Sequence, residues 1–108
     1  MTIQTVDGLD VALDDDHWKT HILKGHPELA QHRELVIETL KHPEAVYRSK
    51  RDPTTRVYAR SYSEIMIGET LAERIDLRVV VREKKSFVVT AYFAVAMWRG
   101  FGERIWPS

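Results

Sequence analysis

The alternation of apolar and polar residues begins with a short hairpin pattern. Residues 3–6 and 9–13 alternate in polarity on either side of Asp7-Gly8. Asp-Gly between two alternating runs is a strong local signal for two antiparallel strands joined by a tight turn. The chain is therefore predicted to begin with a β-hairpin.

The next part of the pattern is helical. An aspartate of the acidic run 14–16 can cap a helix, and a first helix is predicted over about residues 15–24, ended by Gly25. Pro27 suits the first position of a second helix, because proline lacks the N–H that would be unpaired there. Apolar residues then recur at helical spacing, so the second helix is predicted to reach about Lys41.

After Pro43 the period changes to two, which predicts strands. The predicted strands cover residues 45–50, 56–62, 75–82 and 86–94. Residues 63–74 are predicted to form a helical turn or a flexible loop between strands. The tail, residues 97–108, contains Trp98, Phe101 and Trp106, and we expect it to pack on the body of the protein.

Helices followed by an antiparallel meander predict an α+β fold. The expected architecture is a pair of N-terminal helices packed on a four- to five-stranded antiparallel sheet. A chain of 108 residues is most simply one domain, here residues 1–108, and it is long enough to bury a core.

Alternation within the strands also predicts the two faces of the sheet. Apolar residues of the last two strands should meet the helices, whereas Arg78, Thr90 and Tyr92 point the other way. A row of arginines and tyrosines in the second strand is assigned to the same polar face. This row is Arg56, Tyr58, Arg60 and Tyr62. Such a face suits contacts to phosphates and bases.

Composition narrows the classes of function. The formal net charge is zero, although residues 48–60 carry five basic residues and one acidic residue. There is no cysteine, which excludes disulfides and thiolate chemistry. No apolar run approaches the ~20 residues of a membrane span, and no signal peptide is recognised. A cytoplasmic location without membrane association is expected.

Three of the five histidines lie in residues 17–26. On a helix His17, His21 and Lys24 fall within roughly 60° of one another, beside an apolar stripe that includes Trp18. The spacing of the two histidines also allows a metal site or an ordinary surface pair. His26 can instead cap the second helix, and the remaining two histidines are expected on the surface.

Four short motifs support a family resemblance. They are HILKGHPEL at 21–29, HPEAVYRS at 42–49, VYAR at 57–60 and VVTAYF at 88–93. Their order resembles the phage-associated nuclease families of the barnase–EndoU–colicin–RelE superfamily. This resemblance implies the RelE- and barnase-like fold (the BECR fold), metal-independent RNA cleavage without a cofactor, and a toxin-like or phage-derived protein that a protein inhibitor or antitoxin could neutralise.

The resemblance also implies a polar site, which would fall on His17, His21, His26, Arg48, Tyr58, Arg60, Thr90 and Tyr92. Trp18 and Lys24 are added to it from their positions on the predicted first helix. The residues expected to be catalytic are His17, His21, Arg48, Arg60, Thr90 and Tyr92. The residues expected to bind substrate are Trp18, Lys24, His26 and Tyr58. Histidine suits proton transfer because its ordinary pKa is ~6.5, and arginine suits phosphate because its fork donates two parallel hydrogen bonds.

Three functions remain open at this point. The first is an endoribonuclease that uses the 2′-hydroxyl as nucleophile. The second is a non-catalytic RNA- or protein-binding module on the same fold, which zero net charge favours. The third is a metal-dependent hydrolase that uses His17 and His21 with a third ligand such as Asp16 or His26.

Overall fold

In the part of the chain that the structure describes, a single sheet of seven strands dominates the fold. The computed structural model describes residues 1–95 and 101–107. The spatial order is β1-β2-β6-β5-β4-β3-β7, and every described pair is antiparallel except β2 with β6. The strands are β1 Thr2–Gln4, β2 Asp10–Ala12, β3 Ala45–Ser49, β4 Thr55–Ile67, β5 Thr70–Arg82, β6 Phe87–Ala94 and β7 Phe101–Trp106.

The predicted fold class, N-terminal helices packed on a four- to five-stranded antiparallel sheet, is wrong. The sheet is mixed and has seven strands, and 25% of the structure is helical. The N-terminal hairpin is confirmed, with Ile3 opposite Val11, but it joins the main sheet through a parallel contact of Ala12 with Phe87. Local alternation predicts that a strand exists, whereas its partner depends on residues far away in sequence.

Within the described ranges, the helical residues lie between β2 and β3 in five consecutive pieces. These are α1 Asp15–His17, a π-helical turn Trp18–Ile22, α2 Leu23–Gly25, a 3₁₀ turn Pro27–Gln31 and α3 Arg33–Lys41. The predicted cap is confirmed, because the Asp14 carboxylate accepts from the backbone N–H of His17 at 2.8 Å. The predicted second helix is interrupted at His32, where φ is −125° and ψ is 25°.

Helix α3 covers one face of the sheet, which we call the helix face. Val36 and Leu40 of α3 are fully buried with Leu77 and Val79 of β5. The hydroxyl of Tyr62 on β4 bonds to Thr39 and to the backbone oxygen of Leu35, and burial raises the pKa of Tyr62 to about 12. This contact ties α3 to the sheet beside the apolar core.

Residues 63–74 correct a second prediction. They form neither a helical turn nor a loop but the outer half of a long hairpin of β4 and β5. Met66 lies opposite Leu71, and the turn is made at Gly68, whose φ of +62° favours glycine. Both faces of this ribbon are partly exposed and carry charged residues. The sequence therefore does not show the alternation of apolar and polar residues that would predict a strand.

Strand register decides which side chains share a face. Tyr58 lies opposite Val79, so the whole row from Arg56 to Tyr62 belongs to the helix face. The assignment of that row to the polar face is therefore wrong. Tyrosine and arginine can bury a stem and leave a polar end at the margin of a core, so their presence does not identify an exposed face.

The face opposite α3 carries Arg78, Thr90 and Tyr92, which strand alternation had assigned to the polar face. Thr90 lies opposite Val80, and Tyr92 lies opposite Arg78. Val57 and Tyr47 continue the same face across β4 and β3. We call this surface the open face, because two hollows open on it.

Candidate functional site

The three clustered histidines line one edge of β6. Strand β2 pairs with β6 only at Phe87, and the helical segment follows the remainder of that edge. The ring of His17 contacts Phe87, with centroids 5.6 Å apart, and the ring of His26 lies 6.0 Å from that of Tyr92. His21 stays with this row, because its ring centre is 4.8 Å from that of His17.

A bulge in β6 brings this row to the open face. Val88 pairs with Val81 and Thr90 with Val80, so Val89 is an extra residue without a partner in the ladder. The shift turns Phe87 to the same face as Thr90 and Tyr92, whereas simple alternation had assigned it to the apolar face. Bulges of this kind often re-aim side chains beside functional sites.

The bulge also holds His17. Nε2 of His17 lies 2.8 Å from the backbone oxygen of Val89. Because a carbonyl oxygen only accepts, Nε2 carries the hydrogen and Nδ1 is the nitrogen that can take up a proton. The ring is thus fixed in orientation and tautomer, which a proton-transfer group requires.

The larger hollow of the open face has a volume of about 870 Å³. Its floor contains Val57, Val80 and Thr90, and Tyr92 borders it. Lys50 and Arg51 lie exposed at its rim, in the turn that joins β3 to β4. Asp52 also lines the hollow, so threonine and tyrosine are combined there with a small excess of positive charge, which suits contact with an anionic chain such as a nucleic-acid backbone.

Arg78 lines a smaller hollow, and Tyr92, which lies opposite it in the sheet, lines the larger one. The side chain of Arg78 is only 3% exposed, and its guanidinium carbon lies 6.0 Å from the ring centre of Tyr92 and 5.1 Å from that of Phe101. Sequence alternation assigned Arg78 to the polar face but not to the catalytic group. Its position in the middle of an apolar strand was the signal that could have marked it.

Arg48 and Arg60 do not lie with the histidine row, Thr90 and Tyr92. Both are on the helix face: Arg48 pairs with Glu83 at 3.3 Å, and Arg60 donates to the backbone oxygen of His42 and approaches Glu38 at 3.4 Å. Their guanidiniums bind the protein's own acceptors. We therefore do not retain them as phosphate ligands.

Two expected substrate contacts are corrected by burial. Trp18 lies in the core at 5% exposure, and Tyr58 is completely buried, so neither ring can stack on a base. Tyr58 donates to Asp7 at 2.6 Å, and burial together with this bond raises its pKa. Arg56 binds the second oxygen of Asp7 at 2.5 Å. This polar network anchors the N-terminal hairpin.

Lys24, His26 and His32 of the helical segment agree only in part with what the sequence predicted for them. Lys24 is exposed in α2, as a substrate contact requires. His26 makes no side-chain cap, although its backbone oxygen accepts from Leu29. His32 was expected on the surface, and there it bonds to the backbone oxygen of Met66 at 2.7 Å. That bond ties the helical segment to the β4–β5 ribbon.

The metal hypothesis lacks its ligands in this part of the chain. Among residues 1–95 and 101–107, no three histidine, aspartate or glutamate side chains are grouped to hold an ion. His17 and His21 are neighbours, but Asp16 and His26 do not complete a set with them.

Trp98, which was expected to pack with the tail on the body of the protein, lies outside the described residues.

Comparisons with known proteins give no relative. No family model, curated protein or solved structure matches this chain. The resemblance to the nuclease families therefore stays a prediction.

No helix in the described ranges is long and apolar enough to cross a membrane.

Proposed function

We propose that the protein is a metal-independent endoribonuclease whose substrate lies on the open face beside the edge of β6. One observation carries this proposal: the histidine row contacts Phe87 and Tyr92, which belong to the same face as Thr90. Imidazoles can transfer the protons of metal-free RNA cleavage, and hydroxyl and guanidinium groups can stabilise the charge on its phosphate.

The roles follow from position. His17 or His21 accepts the proton of the 2′-hydroxyl, and the 2′-oxygen attacks the adjacent phosphorus. The other imidazole gives a proton to the departing 5′-oxygen, which leaves a 2′,3′-cyclic phosphate and a 5′-hydroxyl. Lys50 and Arg51 at the rim of the larger hollow offset the charge on the phosphate, and Thr90 and Tyr92 orient it. The protein inhibitor expected for a toxin-like nuclease and the cytoplasmic location belong to the same proposal.

The test is digestion of RNA in the presence of EDTA. The His21→Ala variant should cleave about 10²–10⁴-fold more slowly, the usual contribution of a general acid or base. His42→Ala is the matched control, since it removes an exposed imidazole at the end of α3. Products should end in a 2′,3′-cyclic phosphate.

Two results would count against this function. Wild-type protein that binds RNA but leaves it intact over a range of conditions would favour the non-catalytic binding module. Cleavage at the wild-type rate by His21→Ala would remove this residue from the mechanism. Circular dichroism of each variant establishes that the fold is retained.

A further inference from the structure

The β4–β5 ribbon, residues 63–74, projects beyond the strands that flank it. Strand β3 pairs with β4 only as far as Ala59, and β6 pairs with β5 only as far as Asp76. Nine of the twelve residues of the ribbon are exposed. In the part of the chain that the structure describes, this is where a two-stranded structure stands out from the sheet.

Exposed apolar side chains collect on this ribbon. Five large apolar side chains of the described residues are exposed, and two of them are Met66 and Leu71, at 47% and 55%. They lie opposite each other in the ladder and therefore share one face. A third, Val95, follows Ala94, which pairs with Asp76 at the base of the ribbon. Single exposed apolar residues are ordinary, whereas grouped ones mark interaction surfaces.

Three carboxylates accompany the apolar pair. Glu73 is two residues from Leu71 on β5 and is therefore on the same face. Glu64 lies on the neighbouring strand, and Glu69 lies in the turn between the strands. All three are exposed, and none forms an ion pair with a described residue. Because Arg74 is the one cation of the ribbon, the ribbon carries a net charge of −2.

The body of the protein holds the ribbon in place. The ring of His32 bonds to the backbone oxygen of Met66 and stands edge-on to the ring of Phe93, with centroids 5.5 Å apart. A surface that is fixed before binding loses less conformational freedom when a partner docks. Glu64 has a φ of 56°, a conformation in which glycine is less strained, so the backbone does not account for a glutamate there.

We propose that the β4–β5 ribbon is the docking site for a basic, apolar segment of another protein. Met66 and Leu71 contact apolar side chains of this segment, and the surrounding carboxylates pair with its lysines or arginines. Carboxylates repel phosphates, which argues against a nucleic acid or an anionic membrane as the occupant.

A second copy of the chain fits this surface less well. The exposed cations Lys50 and Arg51 complement its charge, but none of the exposed large apolar side chains of the described residues lies in their turn. Two ribbons would meet with like charges. Lys50 and Arg51 also lie at the opposite end of β4, so a partner on the ribbon leaves the larger hollow open. The inference therefore does not depend on the ribonuclease proposal.

The first experiment selects ligands for the full chain from a random peptide library displayed on phage. Phage that wild type retains and Leu71→Ser does not are kept. The selected peptides should combine lysine or arginine with large apolar residues. Selected peptides rich in aspartate or glutamate would overturn the proposal, as would the absence of any peptide that distinguishes the two proteins.

The second experiment measures the affinity of one selected peptide by fluorescence anisotropy. Leu71→Ser should bind it at least about tenfold more weakly, the usual weight of one interface anchor. Joint replacement of Glu69 and Glu73 by lysine should weaken binding at low salt and have less effect at high salt, because salt screens exposed charges. The matched controls, Val6→Ser in the N-terminal hairpin and Glu34→Lys on α3, replace exposed residues elsewhere and should bind as wild type does.

Circular dichroism establishes that each variant is folded, and Met66→Ser takes the place of Leu71→Ser if the latter is not. Wild-type affinity in both the folded apolar variant and the charge-reversed protein would refute the docking site. Sedimentation equilibrium of wild type alone should show a monomer. Reversible association that the apolar variant loses would identify a second copy as the occupant and overturn the proposal. None of these measurements involves RNA, so this proposal and the ribonuclease proposal fail separately.

Discussion

Asp7 illustrates how a single side chain connects the N-terminal hairpin to the sheet. Its side chain is 6% exposed and accepts from Thr5, Arg56 and Tyr58. Burial alone would raise the pKa of Asp7, but these three hydrogen bonds and the charge of Arg56 outweigh it and lower the pKa below its ordinary value. The folded state therefore prefers the ionised carboxylate.

Replacement of this carboxylate should weaken the fold in a pH-dependent way. We expect Asp7→Asn to lower the free energy of unfolding by about 3 kcal/mol at pH 7, since it leaves Arg56 partly buried without its ion pair. Because the folded pKa is depressed, wild type has this stabilisation above the ordinary aspartate pKa and loses it as the pH falls below about 4.

Urea denaturation of both proteins between pH 3 and pH 7 measures the difference. Asp10→Asn, an exposed aspartate on β2, is the control. A stability difference that stays constant down to the lowest pH would show that the carboxylate charge is not the cause.

Among the secondary-structure elements, the close approach of strand β7 to strand β3 depends on one glycine, Gly102. It pairs with β3 at the end of the sheet, with Trp106 opposite Val46 and Phe101 opposite Ser49. A Cβ atom at Gly102 would lie 2.8 Å from the backbone oxygen of Arg48. The strand can therefore approach β3 here only without a side chain at this position.

Gly102→Ala should shift β7 away from β3 and destabilise the protein by about 1–3 kcal/mol, the usual cost of overpacking. Gly25→Ala is the matched control, because a Cβ there meets nothing within 4 Å and its φ is not positive. The control should be neutral or slightly stabilising. Thermal unfolding followed by circular dichroism compares the two, and equal melting temperatures would contradict this account of β7.

At the scale of the whole molecule, zero net charge conceals an uneven distribution. The acidic run 14–16 lies at the start of the helical segment, whereas Lys50 and Arg51 lie at the rim of the larger hollow. Local potential rather than total charge governs the attraction of an anionic chain. The proposed RNA site therefore does not require a basic protein, and the rim of the larger hollow offers it few phosphate contacts.

The salt dependence of RNA binding should reflect this small number. If Lys50 and Arg51 each neutralise one phosphate, the logarithm of the binding constant should fall with the logarithm of salt concentration with a slope of about −1.4. Fluorescence anisotropy with an uncleavable 2′-O-methyl RNA measures it. Joint replacement of Lys50 and Arg51 by alanine should make the slope shallower by about 1.4.

Lys41→Ala removes an exposed cation at the end of α3 and serves as the control for this measurement. An unchanged slope in the double variant would place the RNA elsewhere. A steep slope in all proteins would indicate a more extensive contact than the open face provides.

The sequence by itself determined the features that depend on neighbouring residues. The hairpin around Asp7-Gly8, the cap at Asp14 and the strands on either side of the Glu83–Ser86 turn follow from local chemistry and alternation. The shared face of Arg78, Thr90 and Tyr92 was also predictable, because two adjacent strands keep their alternation there.

Only the tertiary structure decided which surfaces these elements form. The face of Tyr58 depends on its pairing with Val79, and alternation within β4 is equally compatible with either face. The parallel contact of Ala12 with Phe87 and the bulge at Val89 join distant parts of the chain. They bring the histidine row to Thr90 and Tyr92, because pairing across a sheet is set by long-range packing rather than by the order of residues along one strand.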